Sequence, residues 1–206
     1  KSLAFDNRGG LYVTFSAPTN NCEDWYSIGY VSGGSTANVK GENPCQQLND
    51  FGGIWKFDEN KLEQYQSDGQ RFATGLRSVV GLSWNEEDNS LYAVLHGRDY
   101  LYGHAPQYFS PWQNAVLPAE EFMKIKEGDD FGWPYSYYDP FKHKRILAPE
   151  YGGDGIQEAS GYANPIMGLP AHWAPNDLLF YKGNQFPARY KRGAFIAFHG
   201  STNRAP

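Results

Sequence analysis

Polar and apolar positions alternate through a strand, turn, strand unit that recurs along the chain. Its first copy is Ser2-Leu3-Ala4-Phe5, a polar turn over Asp6 to Gly10, and Leu11-Tyr12-Val13-Thr14-Phe15. The second is Gly81-Leu82-Ser83-Trp84, a turn over Asn85 to Ser90, and Leu91-Tyr92-Ala93-Val94-Leu95. Period-two alternation around a polar turn predicts a β-hairpin in each. A looser third copy runs from Asp177-Leu178-Leu179-Phe180-Tyr181 through a longer connection to Gly193-Ala194-Phe195-Ile196-Ala197-Phe198. Gly53-Ile54-Trp55-Lys56-Phe57 adds a strand, and Glu120 to Lys126 fits either a short helical turn or a strand. The segment Gly97 to Gly155, dominated by Gly, Pro, Asp and aromatics, is too long for an idle connection, which marks it as a carrier of function.

The copies recur at wide, unequal intervals, as blades with long loop insertions would, and unlike a strict solenoid. Blades of roughly 40–50 residues make this chain about three to four blades of an all-β propeller. Such a stack cannot close a ring, and left open it would expose strand edges and blade faces. The chain is therefore expected to be one partial propeller over residues 1–206, truncated at both ends. Lys1-Ser2-Leu3-Ala4-Phe5 runs straight into the first strand with no initiating Met and no leader pattern, which agrees with that expectation.

Composition points the same way. Aromatics make up 17% of the 206 residues, and 23 Gly and 13 Pro favour strands and turns over helices. The net charge of −5, without blocks of like charge, gives no support to a nucleic-acid or anionic-membrane partner. Uncharged apolar runs such as Ala194 to Phe198 fall far short of the roughly 20 residues of a membrane span. Cys22 and Cys45 are the only cysteines and lie in a polar, Gly- and Asn-rich stretch, where a disulfide or two free thiols are both open. A bridge would close a loop of about two dozen residues, stabilise it by roughly 3 kcal/mol, and imply an oxidising, extracytoplasmic compartment, periplasmic or secreted.

An ordered series of motifs spans essentially the whole chain. It comprises Asn43-Pro44-Cys45, Gly52-Gly53-Ile54-Trp55, Ala73-Thr74-Gly75-Leu76-Arg77, His96-Gly97-Arg98-Asp99 and Leu117-Pro118-Ala119-Glu120-Glu121. Gly128-Asp129-Asp130-Phe131-Gly132-Trp133-Pro134-Tyr135, Ala148-Pro149-Glu150-Tyr151-Gly152-Gly153-Asp154-Gly155, Pro170-Ala171-His172-Trp173-Ala174-Pro175 and His199-Gly200-Ser201-Thr202-Asn203-Arg204 follow. Each motif is weak alone, but in this order the series resembles the pyrroloquinoline-quinone (PQQ)-dependent soluble sugar dehydrogenases of the glucose/sorbosone dehydrogenase family, in its sorbosone-dehydrogenase-like branch.

The resemblance implies a six-bladed β-propeller holding PQQ and Ca²⁺ at one end of its axis. In that family a His takes the proton from the sugar hydroxyl while hydride passes to the quinone. That His falls a few residues before Lys1, so these residues alone are expected to be inactive. Arg77 matches the family's cofactor-facing arginine and is the candidate catalytic residue: a guanidinium can fork onto a quinone carboxylate or stabilise the quinone oxygen where negative charge accumulates. The next family position is usually Asn, then Pro; here they are Ser78 and Val79, so Ser78 is a cofactor-contacting position with an altered hydrogen bond. Gly97 and Arg98 match the turn whose backbone carbonyls hold the cofactor-bound Ca²⁺, oxygen donors suited to a hard cation.

Glu120 and Glu121 match an acidic pair that binds further Ca²⁺, with Asp99, Asp129 and Asp130 as possible helpers. His96 is expected to pack or hydrogen-bond near the pocket. His172 falls where the family contacts the quinone, and Ser201, Asn203 and Arg204 match its pocket-facing turn, with Thr202 in place of the usual Trp. Asn20 and Asn21 fall near another cofactor-contacting loop. Read without the resemblance, Arg77 is a blade-edge arginine, the acidic residues are solvated charge, and His172 is a structural histidine beside Trp173.

The implied function is oxidation of a sugar or polyol, with electrons passed to a cytochrome or another acceptor. A non-catalytic extracellular propeller used for binding or scaffolding is the alternative, since fold does not fix function and Ser78 and Thr202 depart from the family pattern. A Ca²⁺-stabilised adhesion domain is a third reading.

Overall fold

The computed structural model describes residues 2–23 and 38–201. Its strands are β1 (Leu3–Phe5), β2 (Gly10–Phe15), β3 (Gly53–Asp58), β4 (Gln70–Ala73), β5 (Ser78–Asn85), β6 (Ser90–His96), β7 (Glu120–Ile125), β8 (Ser136–Asp139), β9 (Lys144–Leu147), β10 (Met167–Leu169), β11 (Pro175–Phe180) and β12 (Ala194–Phe198). Two short helices, α1 (Leu101–His104) and α2 (Pro111–Val116), lie between β6 and β7.

The three repeat copies become the first hairpins of three successive sheets. The first sheet has the order β1-β2-β3-β4, and the second runs β5-β6-β7-β10, all antiparallel. The hairpin β11-β12 opens a third. Among the described residues there are thus two four-stranded sheets and two two-stranded hairpins, β11-β12 and β8-β9. The chain between β7 and β10 builds the inserted hairpin β8-β9. Glu120 to Lys126, open between turn and strand, forms β7 because it pairs with β6 on one edge and β10 on the other.

Turn chemistry explains the repeated hairpins. Asp6 Oδ1 accepts the backbone N–H groups of Arg8 and Gly10, both at 2.8 Å, and Gly9 adopts φ +99°, a conformation that suits glycine. Tyr12, one strand on, donates its hydroxyl to Asp6 Oδ2 at 3.1 Å and ties the turn to the sheet.

The inward positions of that alternation make the core. Tyr12, Ile54, Phe72, Leu82, Leu91 and Met123 interlock the first sheet with the second. Val94, Leu169 and Leu178 do the same between the second sheet and β11-β12. Each fully buried Leu or Ile here contributes about 1.5–3 kcal/mol relative to exposure. A satellite core of Leu101, Phe109, Leu117, Tyr137 and Ile146 seals α1, α2 and the β8-β9 hairpin together. Ser110 caps α2 in a reciprocal box with Gln113, and Pro111 occupies its first turn. Cys22 and Cys45 are joined in a disulfide, packed on Trp133. No helix among the described residues is long and apolar enough to cross a membrane.

Candidate functional site at the loop end of the sheets

Strand register brings the motif loops to one end. Ser78 pairs with His96, so Arg77, just before β5, faces Gly97, just after β6. Glu121 pairs with Leu95 and Leu169 with Glu120, so the start of β7 and the end of β10 arrive beside them. The turn from Pro170 to Ala174 then carries His172 to the same end before β11 begins.

The side chains close into a charged cluster. Arg77 Nη1 donates to the Gly97 carbonyl at 2.6 Å, and Nη2 lies 3.7 Å from Asp99 Oδ2. His172 Nδ1 donates to Asp99 Oδ1 at 3.1 Å, and its Nε2 donates to the Asn114 carbonyl at 2.7 Å. Both ring nitrogens face acceptors, an arrangement that favours the protonated ring. Burial alone would lower its pKa, but Asp99 and the Asn114 carbonyl together raise it. His172 also adopts φ +62°, a left-handed conformation uncommon for a residue with a side chain. Asp99 therefore sits between Arg77 and His172. Its backbone is clamped by Asn20, whose Oδ1 accepts the Asp99 N–H at 2.8 Å and whose Nδ2 donates to the Asp99 carbonyl at 2.9 Å.

Glu120 lies behind the cluster, with Oε2 accepting the Gly97 N–H at 2.6 Å and Oε1 the Ala174 N–H at 3.3 Å. Burial pushes its pKa up to about 7, against the opposing pull of those two N–H groups. It is the carboxyl in this cluster that can exchange a proton near neutrality. Burial likewise pulls the Arg77 pKa down, while Asp99 pushes it up. Arg77 Nε is buried and has no hydrogen-bond partner.

Other expected site residues lie elsewhere. Strand alternation turns Glu121 to the face opposite Glu120, where Arg145 grips it at 3.0 and 2.5 Å. The two glutamates thus do not face one shared ion. The Arg98 side chain enters a buried network, with Nη1 2.5 Å from Glu150 Oε2 and His104 Nδ1 2.9 Å from Glu150 Oε1. Only the backbone of Arg98 belongs to the loop that carries Gly97 and Asp99. Asn21 joins that same network, its Nδ2 3.5 Å from His104 Nδ1.

Asp129 and Asp130 accept nearby backbone N–H groups and shape their turn. His96 Nε2 donates toward the Pro175 carbonyl and Asn176 Oδ1, both at 3.1 Å, and Ser78 Oγ meets Ser16 Oγ at 3.4 Å. Ser201 is exposed at the loop end after β12, whereas Asn203 and Arg204, with Thr202, lie outside the described residues. Among the described residues no group of three or more His, Cys, Asp or Glu side chains could hold a metal ion. Sequence reasoning gave no role to Glu150, His104 or Arg145; Glu150 stood inside a quoted motif, but only the fold shows what it meets.

A family model described as TrAA12-like matches residues 26–206. An uncharacterised protein of Borreliella burgdorferi is 32% identical over 134 residues, covering 65% of this chain and 31% of that protein. The family AA12 carbohydrate-active enzyme of Trichoderma reesei is similar in structure, with a TM-score of 0.68 in an iodide structure and 0.67 in a calcium structure, at 18% and 17% identity; each comparison covers 95% of this chain and 47% of that one. The PQQ domain of a pyranose dehydrogenase from Coprinopsis cinerea, in its holo form, gives 0.63 at 19% identity, covering 96% and 47%. At these identities the likeness is one of fold. The chain spans about a third of that curated relative's length and just under half of each of these solved chains.

Proposed function

This chain belongs to the TrAA12-like family, and we propose that its loop end forms one side of the cofactor pocket of a PQQ-dependent sugar dehydrogenase. The observation that carries the reading is the convergence of Arg77, Gly97, Asp99 and His172 on one rim, with a buried Arg77 Nε that has no partner. The motif series supports the finer placement in the sorbosone-dehydrogenase-like branch and a ring of six blades, of which the described sheets would be two and the start of a third. The disulfide supports an extracytoplasmic location.

The donor set fits the cofactor. A guanidinium with a buried, unpartnered N–H suits an anionic quinone, and the Gly97 carbonyl and Asp99 carboxylate are oxygen donors of the kind Ca²⁺ takes, engaged in this structure with Arg77 and His172. When bound, PQQ with Ca²⁺ supplies a two-electron acceptor for hydride from a sugar carbon. Arg77 would orient that acceptor and stabilise negative charge on it, because it is held from behind by the Gly97 carbonyl. Asp99 limits the excess positive charge between Arg77 and His172. Both ring nitrogens of His172 are engaged by Asp99 and the Asn114 carbonyl, so we assign the base to a His outside these residues. A sugar or polyol is the proposed substrate, and a cytochrome or similar carrier the proposed electron acceptor.

The test is titration of the full-length protein with PQQ and Ca²⁺, following the cofactor's absorbance and sugar-dependent dye reduction. Arg77→Ala should weaken quinone binding about tenfold or more, the loss of a charge-assisted hydrogen bond. Failure of the unmodified protein to bind quinone contradicts the reading. It would leave a binding propeller, or, if Ca²⁺ alone binds, a calcium-stabilised adhesion domain.

A further inference from the structure

The segment from Ala17 to Cys22 touches both sides of the charged cluster. The Ala17 N–H donates to the Arg77 carbonyl at 2.7 Å, and Asn20 makes its reciprocal pair with the Asp99 backbone, 2.8 Å at Oδ1 and 2.9 Å at Nδ2. That pair needs a donor and an acceptor side by side, which a side-chain amide supplies. Asp99 thus reaches Arg77 and His172 with its carboxylate while Asn20 holds its backbone. The segment is itself anchored. Its Asn20 carbonyl accepts the Trp133 Nε1–H at 2.9 Å. Trp133 is 5% exposed and packs on Cys22 and Cys45, which are 0% and 4% exposed. The Cys45 N–H donates to Tyr135 Oη at 2.9 Å, and the Trp133 N–H donates to the Gly75 carbonyl at 3.0 Å, just ahead of Arg77. Thr19 Oγ1 accepts the Cys22 N–H at 3.0 Å and donates to Gln47 Oε1 at 2.8 Å, a second tie between the two cysteine stretches. Gly52 leaves the indole its place, since a Cβ there would lie 3.0 Å from Trp133 Cζ3.

We propose that Asn20 is a positioning residue for Asp99, and that the Cys22–Cys45 disulfide acts through Trp133 to keep Asn20 in place, so that the bridge orders the quinone-facing loop. The proposal rests on the functional reading above. Both polar groups of the Asn20 side chain are engaged by Asp99, so Asn20 acts through that loop and not by contact with the cofactor. A loop already held in its binding conformation binds at its intrinsic affinity, whereas one that visits it for a fraction of the time binds more weakly by that fraction. The bridge sits two positions after Asn20, and the Trp133 indole joins the two directly.

The test uses the full-length protein with Asn20→Ala, with Trp133→Phe, and with Cys22→Ala and Cys45→Ala together. Amide hydrogen exchange at Asp99 without quinone, PQQ affinity in Ca²⁺, and thermal unfolding are measured on each. Every variant should speed exchange of the Asp99 amide about tenfold or more and weaken PQQ binding about threefold to tenfold. Adding Asn20→Ala to the cysteine pair should weaken binding little further, because both act through one contact. Lower thermal stability with unchanged PQQ affinity would show a bridge that only stabilises the fold, and overturns the proposal. Losses that multiply independently overturn the part assigned to the disulfide. If the cysteine variant does not fold, the same cycle between Asn20→Ala and Trp133→Phe decides the point. If the unmodified protein binds no quinone, the functional reading fails, while amide exchange in the variants still decides whether Asn20 and the bridge hold the Asp99 loop.

Discussion

Replacing Glu121 with Gln separates a buried ion pair from a calcium ligand. The side chains of Arg145 and Glu121 are 3% and 4% exposed and share bonds of 3.0 and 2.5 Å, and Arg145 Nε also donates to the Ala163 carbonyl at 2.8 Å. The guanidinium is thus fixed against Phe131 and Tyr138, 5.8 Å from each ring, and cannot swing to solvent when its partner changes. Gln keeps the shape and removes the charge, leaving a buried, uncompensated cation, for which losses of about 3–5 kcal/mol are typical. Replacing both partners by Met should be near neutral, because the penalty comes from the unpaired charge and not from absence of the pair. Denaturant unfolding of the full-length protein, in Ca²⁺ and in chelator, reads both. The structure predicts the same loss in either condition. A loss below about 1 kcal/mol, the scale of an exposed pair, or one confined to the calcium arm, would refute the ion-pair account and restore Glu121 as a metal ligand.

Two pH dependences follow from buried carboxyls. Glu150 is held at about 2: burial alone would raise its pKa, but Arg98 and His104 beside it pull it down. A depressed pKa stabilises the fold above the unfolded value, near 4.5, and that stability, about 3 kcal/mol, is lost as pH falls toward 2; Glu150→Gln should flatten the acid limb of an unfolding profile, and an unchanged limb would contradict the pairing. Glu120 has the opposite sign. Raised by burial to about 7, it binds its proton more tightly when folded, so stability should decline as pH rises from about 4.5 to 7. Glu120→Gln should remove that slope, and a variant that still shows it would assign the slope elsewhere.

Much of the fold was legible because hairpins are local. The alternation at Leu3–Phe5 and Leu11–Phe15, and again at Gly81–Trp84 and Leu91–Leu95, specifies which face is buried without reference to the rest of the chain. Strands that depend on distant partners were not legible: β10 is only Met167–Leu169 and exists because it pairs with β7. The helices α1 and α2 are four and six residues long, too short to carry a periodic signal.

The site divides along the same line. The motif residues Arg77, Gly97, Asp99 and His172 do come together, since each flanks a strand end that register places at one edge. Which way each side chain points was not readable. Glu120 and Glu121 look like a pair in sequence, yet strand geometry sends them to opposite faces. Arg98, one residue from Gly97, turns to Glu150, a partner far along the chain. Asn20, not Asn21, braces the Asp99 loop, a distinction of one position that spacing alone does not resolve.

The most direct measurement is a crystal structure of the full-length protein with PQQ and Ca²⁺ bound. The quinone should lie against the Arg77 guanidinium, with the Gly97 turn facing the calcium ion and the Asp99–His172 contact retained. Quinone seated on another surface, or Arg77 left wholly engaged with Gly97 and Asp99 while the cofactor binds without it, would contradict the account.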